Sequence, residues 1–257
     1  LAIYHSKIPD KVGPVRSARK YYVDWIKEYD AWYAHWGGAS TANEANVYDY
    51  MRKIFVSSID VPSIGPSEPF DRDPERLKRV AIEHTGFARL PLVYETAYRM
   101  YPDQARQFRA IEPWKFKNDA AEDKRPNASS VEFNFWDLSD FIVKWEYDPK
   151  TNTYIRFQGG KEQVDAVTSE PLRAKNVIVE FMIETSLLDE KAHLLYKTLG
   201  RGNAKIFLDG KIIEAGWDRA DLTSRTKYFD ISGAQIVFNR GQTWVEVLPT
   251  VNALTFN

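Results

Sequence analysis

Two short stretches concentrate side chains able to grip an anion. In Gly13-Pro14-Val15-Arg16-Ser17-Ala18-Arg19, two arginines stand three residues apart, just after a Gly-Pro pair suited to opening a helix. Residues three apart share a helix face. A helix start also offers unpaired N–H groups and the positive end of the helix dipole. Arg16 and Arg19, with the Ser17 hydroxyl between them, would then cradle a phosphate or carboxylate through charge-assisted hydrogen bonds. The alternative is that both arginines pair with nearby acids or lie in solvent.

The second stretch is His35-Trp36-Gly37-Gly38-Ala39-Ser40. Glycines between a strand and a helix let backbone N–H groups turn inward as an anion nest. In open α/β sheets ligands collect at the carboxyl ends of strands, where this turn would lie. Ser40 could donate a hydroxyl hydrogen bond, and His35 could donate, accept or shuttle a proton. The alternative is a tight turn with a capping serine and a packed histidine. It is neither a P-loop nor a full dinucleotide fingerprint. Glu83-His84-Thr85 could form a catalytic pair or half a metal site, though such a histidine is more often a hydrogen-bonded loop residue, and His5 and His193 have no evident company. The expected ligand-binding set is Arg16, Ser17, Arg19, His35, Gly37, Gly38, Ser40 and His84. A right-handed crossover would bring the helix start and the Gly37-Gly38 turn to one rim.

Metal and cofactor chemistry is not expected. The chain has no cysteine and four histidines, with no HExxH, calcium loop or nucleophile elbow. Lys plus Arg is 35 and Asp plus Glu is 36, so no global field draws the chain to nucleic acid or to an anionic membrane. Its 8 Trp, 14 Tyr and 14 Phe make a heavy core or stacking surfaces for sugar rings.

These residues need elements to hold them. Val15, Ala18, Tyr22, Trp25, Ile26 and Tyr29 make a helical stripe, which predicts a helix from about Pro14 to Tyr29. A strand is expected over Ala31–Trp36. Thr41-x-x-Glu44 reads as a capping box for a helix to Lys53. A long loop follows over Ser57–Asp73, a helix start at Asp73-Pro74-Glu75, and a helix over Leu90–Met100 before Pro102. Apolar Leu1–Tyr4 reads as a buried strand. The opening without Met suggests a processed or truncated start, with an upstream segment or another chain expected to pair alongside and complete the sheet. Residues 112–130, with two prolines and many charges, read as a connection. Beyond it, Phe141–Tyr147 and Thr153–Phe157 make a hairpin, and Val177–Ile183 and several short strands follow. The fold expected is therefore α+β: an N-terminal α/β domain with a partly parallel sheet over 1–118, and a β-rich antiparallel domain over 129–257.

Several of these motifs carry a resemblance. Gly13–Arg19, Glu28-Tyr29-Asp30-Ala31, and His35 with Gly37-Gly38 and Ser40 resemble the YerB-like lipoproteins of bacteria, a family of unknown function with N- and C-terminal domains. Trp145-Glu146-Tyr147-Asp148, Tyr154-Ile155-Arg156, Asn176–Val179, Gly200-Arg201-Gly202, Gly216-Trp217, Ser224-Arg225-Thr226 and Gly241-Gln242-Thr243-Trp244 are similar to its second half in order. The family begins with a signal sequence, a lipid-modified cysteine and a first strand upstream of the position matching Leu1. Where it often has a Pro-His-Asn segment, this chain has Glu83-His84-Thr85, and only His84 carries over. The resemblance implies a lipid-tethered protein on the outer face of the bacterial cytoplasmic membrane and implies no activity. The residues add an expected anionic ligand, an envelope glycan or lipid-linked phosphate, with a β-rich domain that docks a partner or glycan. The rival is a phosphoryl or glycosyl-phosphate transferase or hydrolase, in which the arginines stabilise transferring phosphate and His35 or His84 acts as acid or base. A third alternative is a scaffold whose Arg and Gly residues serve only the fold.

Overall fold

Backbone donors spent sideways decide how the chain begins. Val15 N–H reaches Gly86 O at 2.7 Å, Ala18 N–H reaches Gly37 O at 2.8 Å, and Trp36 N–H reaches Arg16 O at 3.1 Å. Residues 15–18 are therefore extended, and Ala18 forms a parallel bridge with Gly38. The helix expected from Pro14 begins only at Lys20, with Arg19 as its extended N-cap. Leu1–Tyr4 is a second correction. It forms no strand, and Leu1, Ile3 and Tyr4 are 57%, 40% and 38% exposed. Four apolar residues cannot make a strand without a neighbour to pair with. The computed structural model describes residues 1–4, 8–64, 69–103 and 109–257, so His5 lies outside the described residues.

The described chain forms two units. The first comprises Leu1–Ile111 with two returning segments, Thr185–Leu195 and Leu222–Arg225. Its elements are β1 (Lys11–Val12), α1 (Lys20–Tyr29), β2 (Tyr33–His35), α2 (Val47–Lys53), β3 (Ser58–Asp60), α3 (Val61–Ile64), β4 (Phe70–Arg72), β5 (Gly86–Arg89) and α4 (Leu90–Met100). β2 and β3 are parallel, with His35 opposite Asp60. β1, β5 and β4 form a separate antiparallel sheet in that order. α1 ends at Asp30, which is left-handed at φ 49° and returns its N–H to the last turn. Its Val23 and Ile26 pack on Val47 and Met51 of α2. α2 does not use Thr41 and Glu44: Asn43 accepts from Thr41 and Ala45 in a local turn, and Asn46 caps the helix through Asp49 N–H. α4 carries Pro91 in its first turn and buries Val93 and Ala97 against Ile59, Phe70 and Ala88. The helix start expected at Asp73 is reduced to two single turns, Arg76–Lys78 and Ile82–His84. The returning Arg225 bonds Glu28 at 2.5 Å and lies over the Tyr29 ring, where Glu28 is almost fully buried.

The second unit comprises Glu112–Glu184, Tyr196–Asp221 and Thr226–Asn257. In sequence it is interrupted by the two segments, Thr185–Leu195 and Leu222–Arg225, that belong to the first unit. The remaining strands are β6 (Lys115–Lys117), β7 (Ser130–Asn134), β8 (Ile142–Asp148), β9 (Thr153–Gln158), β10 (Lys161–Glu162), β11 (Arg173–Ala174) and β12 (Asn176–Met182). They continue with β13 (Glu184–Ser186), β14 (Leu194–Tyr196), β15 (Gly200–Leu208), β16 (Lys211–Arg219), β17 (Lys227–Asp230), β18 (Val237–Asn239), β19 (Thr243–Pro249) and β20 (Leu254–Phe256). One sheet runs β10-β9-β8-β7-β20 and the other β17-β16-β15-β12-β19. β12 lies parallel to β19, and β6 parallel to β18, so the unit is not purely antiparallel. β8 alternates, burying Val143, Trp145 and Tyr147. These meet Val177, Val179, Phe207 and Leu248 of the other sheet in one core, a β-sandwich. The chain as a whole is α+β, with strands far outnumbering helices.

An ion pair lies inside this core. Arg156 Nε reaches Glu246 Oε1 at 3.1 Å, and the Trp145 indole donates to the same oxygen at 3.2 Å. Burial pushes the Glu246 carboxyl up, and Arg156 pulls it back. Breaking such a pair by removing one partner costs about 3–5 kcal/mol, because the other group stays buried and uncompensated. Arg156→Met is therefore expected to lower the urea midpoint sharply. The double variant Arg156→Met/Glu246→Leu should recover much of that loss, and a double variant as unstable as the single one would show that the pair contributes through packing alone.

Candidate functional site

The residues expected to converge separate into two places within the first unit. At the end of β2, His35 is fully buried. Its Nδ1 donates to Gly37 O at 2.8 Å, with Asp60 Oδ1 3.3 Å away. A carbonyl only accepts, so the proton sits on Nδ1. Nε2 meets no partner among the described residues. Burial pushes the imidazole below its ordinary range, against the pull of Asp60 and Gly37. His35 is thus a packed neutral histidine, walled by Tyr33 and Tyr48, and does not reach an open cleft.

The glycine turn is also filled from inside. Gly37 takes φ +72°, a left-handed conformation that favours glycine. Its N–H donates to Asp60 Oδ1 at 2.7 Å, and the Tyr48 hydroxyl donates to Asp60 Oδ2 at 2.9 Å. The nest read from Gly37-Gly38 holds the protein's own carboxyl. A Cβ at Gly38 would stand 2.5 Å from Val47, so this glycine gives α2 room to approach. Ser40 is exposed, and Asn46 is the cap of α2. Burial, then the bond to Asp60, keeps the Tyr48 hydroxyl protonated far above its usual range.

Arg16 and Arg19 part company because the segment is extended, so residues three apart point to opposite sides. Arg19 bonds the neighbouring Ala18 carbonyl at 2.8 Å. Arg16 turns the other way and meets His84 Nδ1 at 3.0 Å. There a cleft of about 170 Å³ opens between Val15, Arg16, Ser17, Trp36, Arg72, Ile82 and Glu83. Ser17 Oγ donates to Trp36 O at 3.3 Å. The structure therefore brings Arg16 and Ser17 to the cleft, with His84 bonded to Arg16 but not on the lining, and leaves Arg19, His35, Gly37, Gly38 and Ser40 outside it.

Arg72 was missed. Its guanidinium lies 4.0 Å over the Trp36 ring, a cation–π contact. Its Nη1 donates to Ile82 O at 2.6 Å and Thr85 Oγ1 at 3.1 Å. Arg76 Nε donates to His84 O at 3.1 Å and fixes the same turn. Nothing in Phe70-Asp71-Arg72-Asp73 marks it, since three residues of strand are too few for a period. His193, read as solitary, bonds Asp189 at 2.7 Å, and Asp189 also accepts from Asn43. The His193 main-chain N–H, its ring and Asn43 hold the Asp189 carboxyl well below the usual range. No group of three or more His, Asp or Glu side chains that could hold a metal ion occurs among the described residues.

Residues 1–100 match the family described as protein of unknown function (DUF3048), N-terminal domain, and residues 131–245 match its C-terminal domain. The chain belongs to the DUF3048 family. The DUF3048 chain is 24% identical over 273 residues to a Bacillus subtilis (strain 168) protein named Putative lipoprotein YerB, covering 100% of this chain and 72% of that one. The crystal structure of YerB from Bacillus subtilis aligns with a TM-score of 0.78 at 19% identity, over 99% of this chain and 80% of that one, which establishes the shared fold. No helix among the described residues is long and apolar enough to cross a membrane.

A histidine held neutral by burial makes stability fall with acid. The unfolded chain takes up a proton on His35 near pH 6.5, and the folded chain resists it. Below that pH the unfolded state binds more protons, so acid favours unfolding, by at most about 1.4 kcal/mol per pH unit for one proton. Urea unfolding from pH 7.5 to pH 5 should show this loss in the wild type and a shallower one in His35→Gln. Parallel slopes would assign the acid sensitivity to other groups.

Proposed function

We propose that this DUF3048 protein is a lipid-anchored cell-envelope protein, facing outward from the bacterial cytoplasmic membrane, whose first unit binds an anionic head group. The lipoprotein name of its YerB relative supports the location. The pairing of Arg16 with Arg72 on one cleft carries the ligand reading. Neither guanidinium meets a carboxylate among the described residues: Arg16 contacts His84, and Arg72 contacts a ring, a carbonyl and a hydroxyl. Glu83 is the one acid on the lining and is exposed, so two positive charges outweigh one negative. A volume of about 170 Å³ lies below the ~300–1,000 Å³ of drug-sized ligand sites and suits a phosphate or carboxylate rather than a whole sugar chain. The rigid parts are already in place. Trp36 supports one arginine, and the Ile82–His84 turn supports the partner of the other.

Each charge-assisted hydrogen bond to an anion contributes about 1.5–3 kcal/mol, and about 1.4 kcal/mol is a factor of ten. Inorganic phosphate titrated into the protein should shift the His84 imidazole signals in NMR spectra. Arg16→Ala should weaken that binding at least ~10-fold with the melting temperature unchanged, because Arg16 is exposed. A phosphate affinity equal in wild type and Arg16→Ala would leave the arginines a purely structural role.

A further inference from the structure

The second unit carries a larger concavity, of about 650 Å³, which shares no lining residue with the Arg16 cleft and is built by different chemistry. It arises from a change of character along one face of the β15-β16-β12 strands. Near one end this face supplies Val177, Phe207 and Ile212, paired in register, to the sandwich core. Side chains alternate between faces, so the same face continues along β15 as Lys205, Asn203 and Arg201, and along β16 as Glu214, Gly216 and Asp218. The core face becomes a polar, charged floor. Gly216 leaves a bare strip there, where a Cβ would stand 3.3 Å from the Gly202 carbonyl. Phe181 and Ile183 on one side and the 91% exposed Ile231 on another make apolar walls.

The charges on this floor do not cancel. Lys205 pairs with Glu214, and Arg201 pairs with Asp218 at 2.8 Å while remaining 84% exposed. Lys197 is exposed and has no ion-pair partner among the described residues. Lys197, Arg201 and Lys205 face the two carboxylates of Glu214 and Asp218, an excess of one positive charge, carried by Lys197. The volume falls within the range of small-molecule sites. The strands beneath it are interior ones, flanked by β17 and β19, although β15 pairs β12 only over Ala204–Leu208 and its Gly200–Asn203 stretch pairs β16 alone. The side chains on offer are the Asn203 amide, the cations and the apolar walls, a combination suited to rings with hydroxyls, apolar C–H faces and negative charges.

We propose that this groove is a second, separate binding site, for a sugar chain bearing carboxylate or phosphate groups. Wild-type protein would be titrated calorimetrically with tetragalacturonate, maltose 1-phosphate, neutral maltotetraose and hexaglutamate. Binding of either anionic sugar, at least tenfold weaker in Lys197→Ala/Arg201→Ala and unchanged in Lys161→Ala/Lys211→Ala, is the expected result. The first two probes tell carboxylate from phosphate. The second double variant removes equal charge outside the groove, and thermal melts of both variants show that the fold is retained. Equal binding of maltotetraose or hexaglutamate would overturn the proposal, as would failure of both anionic sugars to bind or an unchanged affinity in Lys197→Ala/Arg201→Ala. Phosphate binding at Arg16 can fail without touching this result, because no groove residue belongs to that cleft.

Discussion

The Asp60 carboxyl stands almost wholly out of water at the end of β3, where a polar group without partners is costly. It is satisfied by the Gly37 amide and the Tyr48 hydroxyl, with the His35 ring beside it. These contacts join β2, the turn after it, α2 and β3. They also fasten the turn, in which Gly37 is left-handed at φ 72° and aims its N–H at Asp60. The Gly37 carbonyl then faces Ala18 N–H, and Trp36 N–H faces Arg16 O. The extended course of residues 15–18, and so the direction in which Arg16 points, follows from how one buried carboxyl is satisfied.

That dependence explains why the cleft beside Arg16 lies on the outer side of this segment. The inner side is taken by Asp60 and His35. Trp36 sits at the junction, its main chain held by Arg16 and Ser17 and its ring covered by Arg72. A cation resting on an indole loses little freedom when it binds an anion, because much of its ordering has already occurred in the fold.

In the second unit the core and the groove are two ends of the same strands. The sandwich closes where Val177, Phe207 and Ile212 meet Trp145 and Val131, and it opens where β15 and β16 turn polar. The two candidate sites differ in kind. One is a small rigid notch with guanidinium walls, and the other is a broad floor with mixed charge and apolar rims. Membership of the DUF3048 family fixes the architecture around both and assigns neither a ligand.

Periodicity and composition by themselves determined the α+β class, α4, the β8–β9 hairpin and the strand-rich second half, because each rests on local preferences that need no distant partner. Arg16, Ser17 and His84 were also legible as candidates from residue type. Tertiary structure decided the rest. Gly13-Pro14 carries a helix-start signal, yet the donors of residues 15–18 are claimed by Gly86 and Gly37 before a helix can use them. Gly37-Gly38 has the composition of an anion nest, yet Asp60, more than twenty residues later in sequence, fills it. Arg72 has no local signature, since its role comes from stacking on Trp36. Lys197 and Asn203 belong to no motif in the sequence, and Arg201 stands out only within Gly200-Arg201-Gly202; the fold alone brings the three to one groove. In each case the deciding partner is distant along the chain, and only folding brings its hydrogen bond, ring or charge into reach.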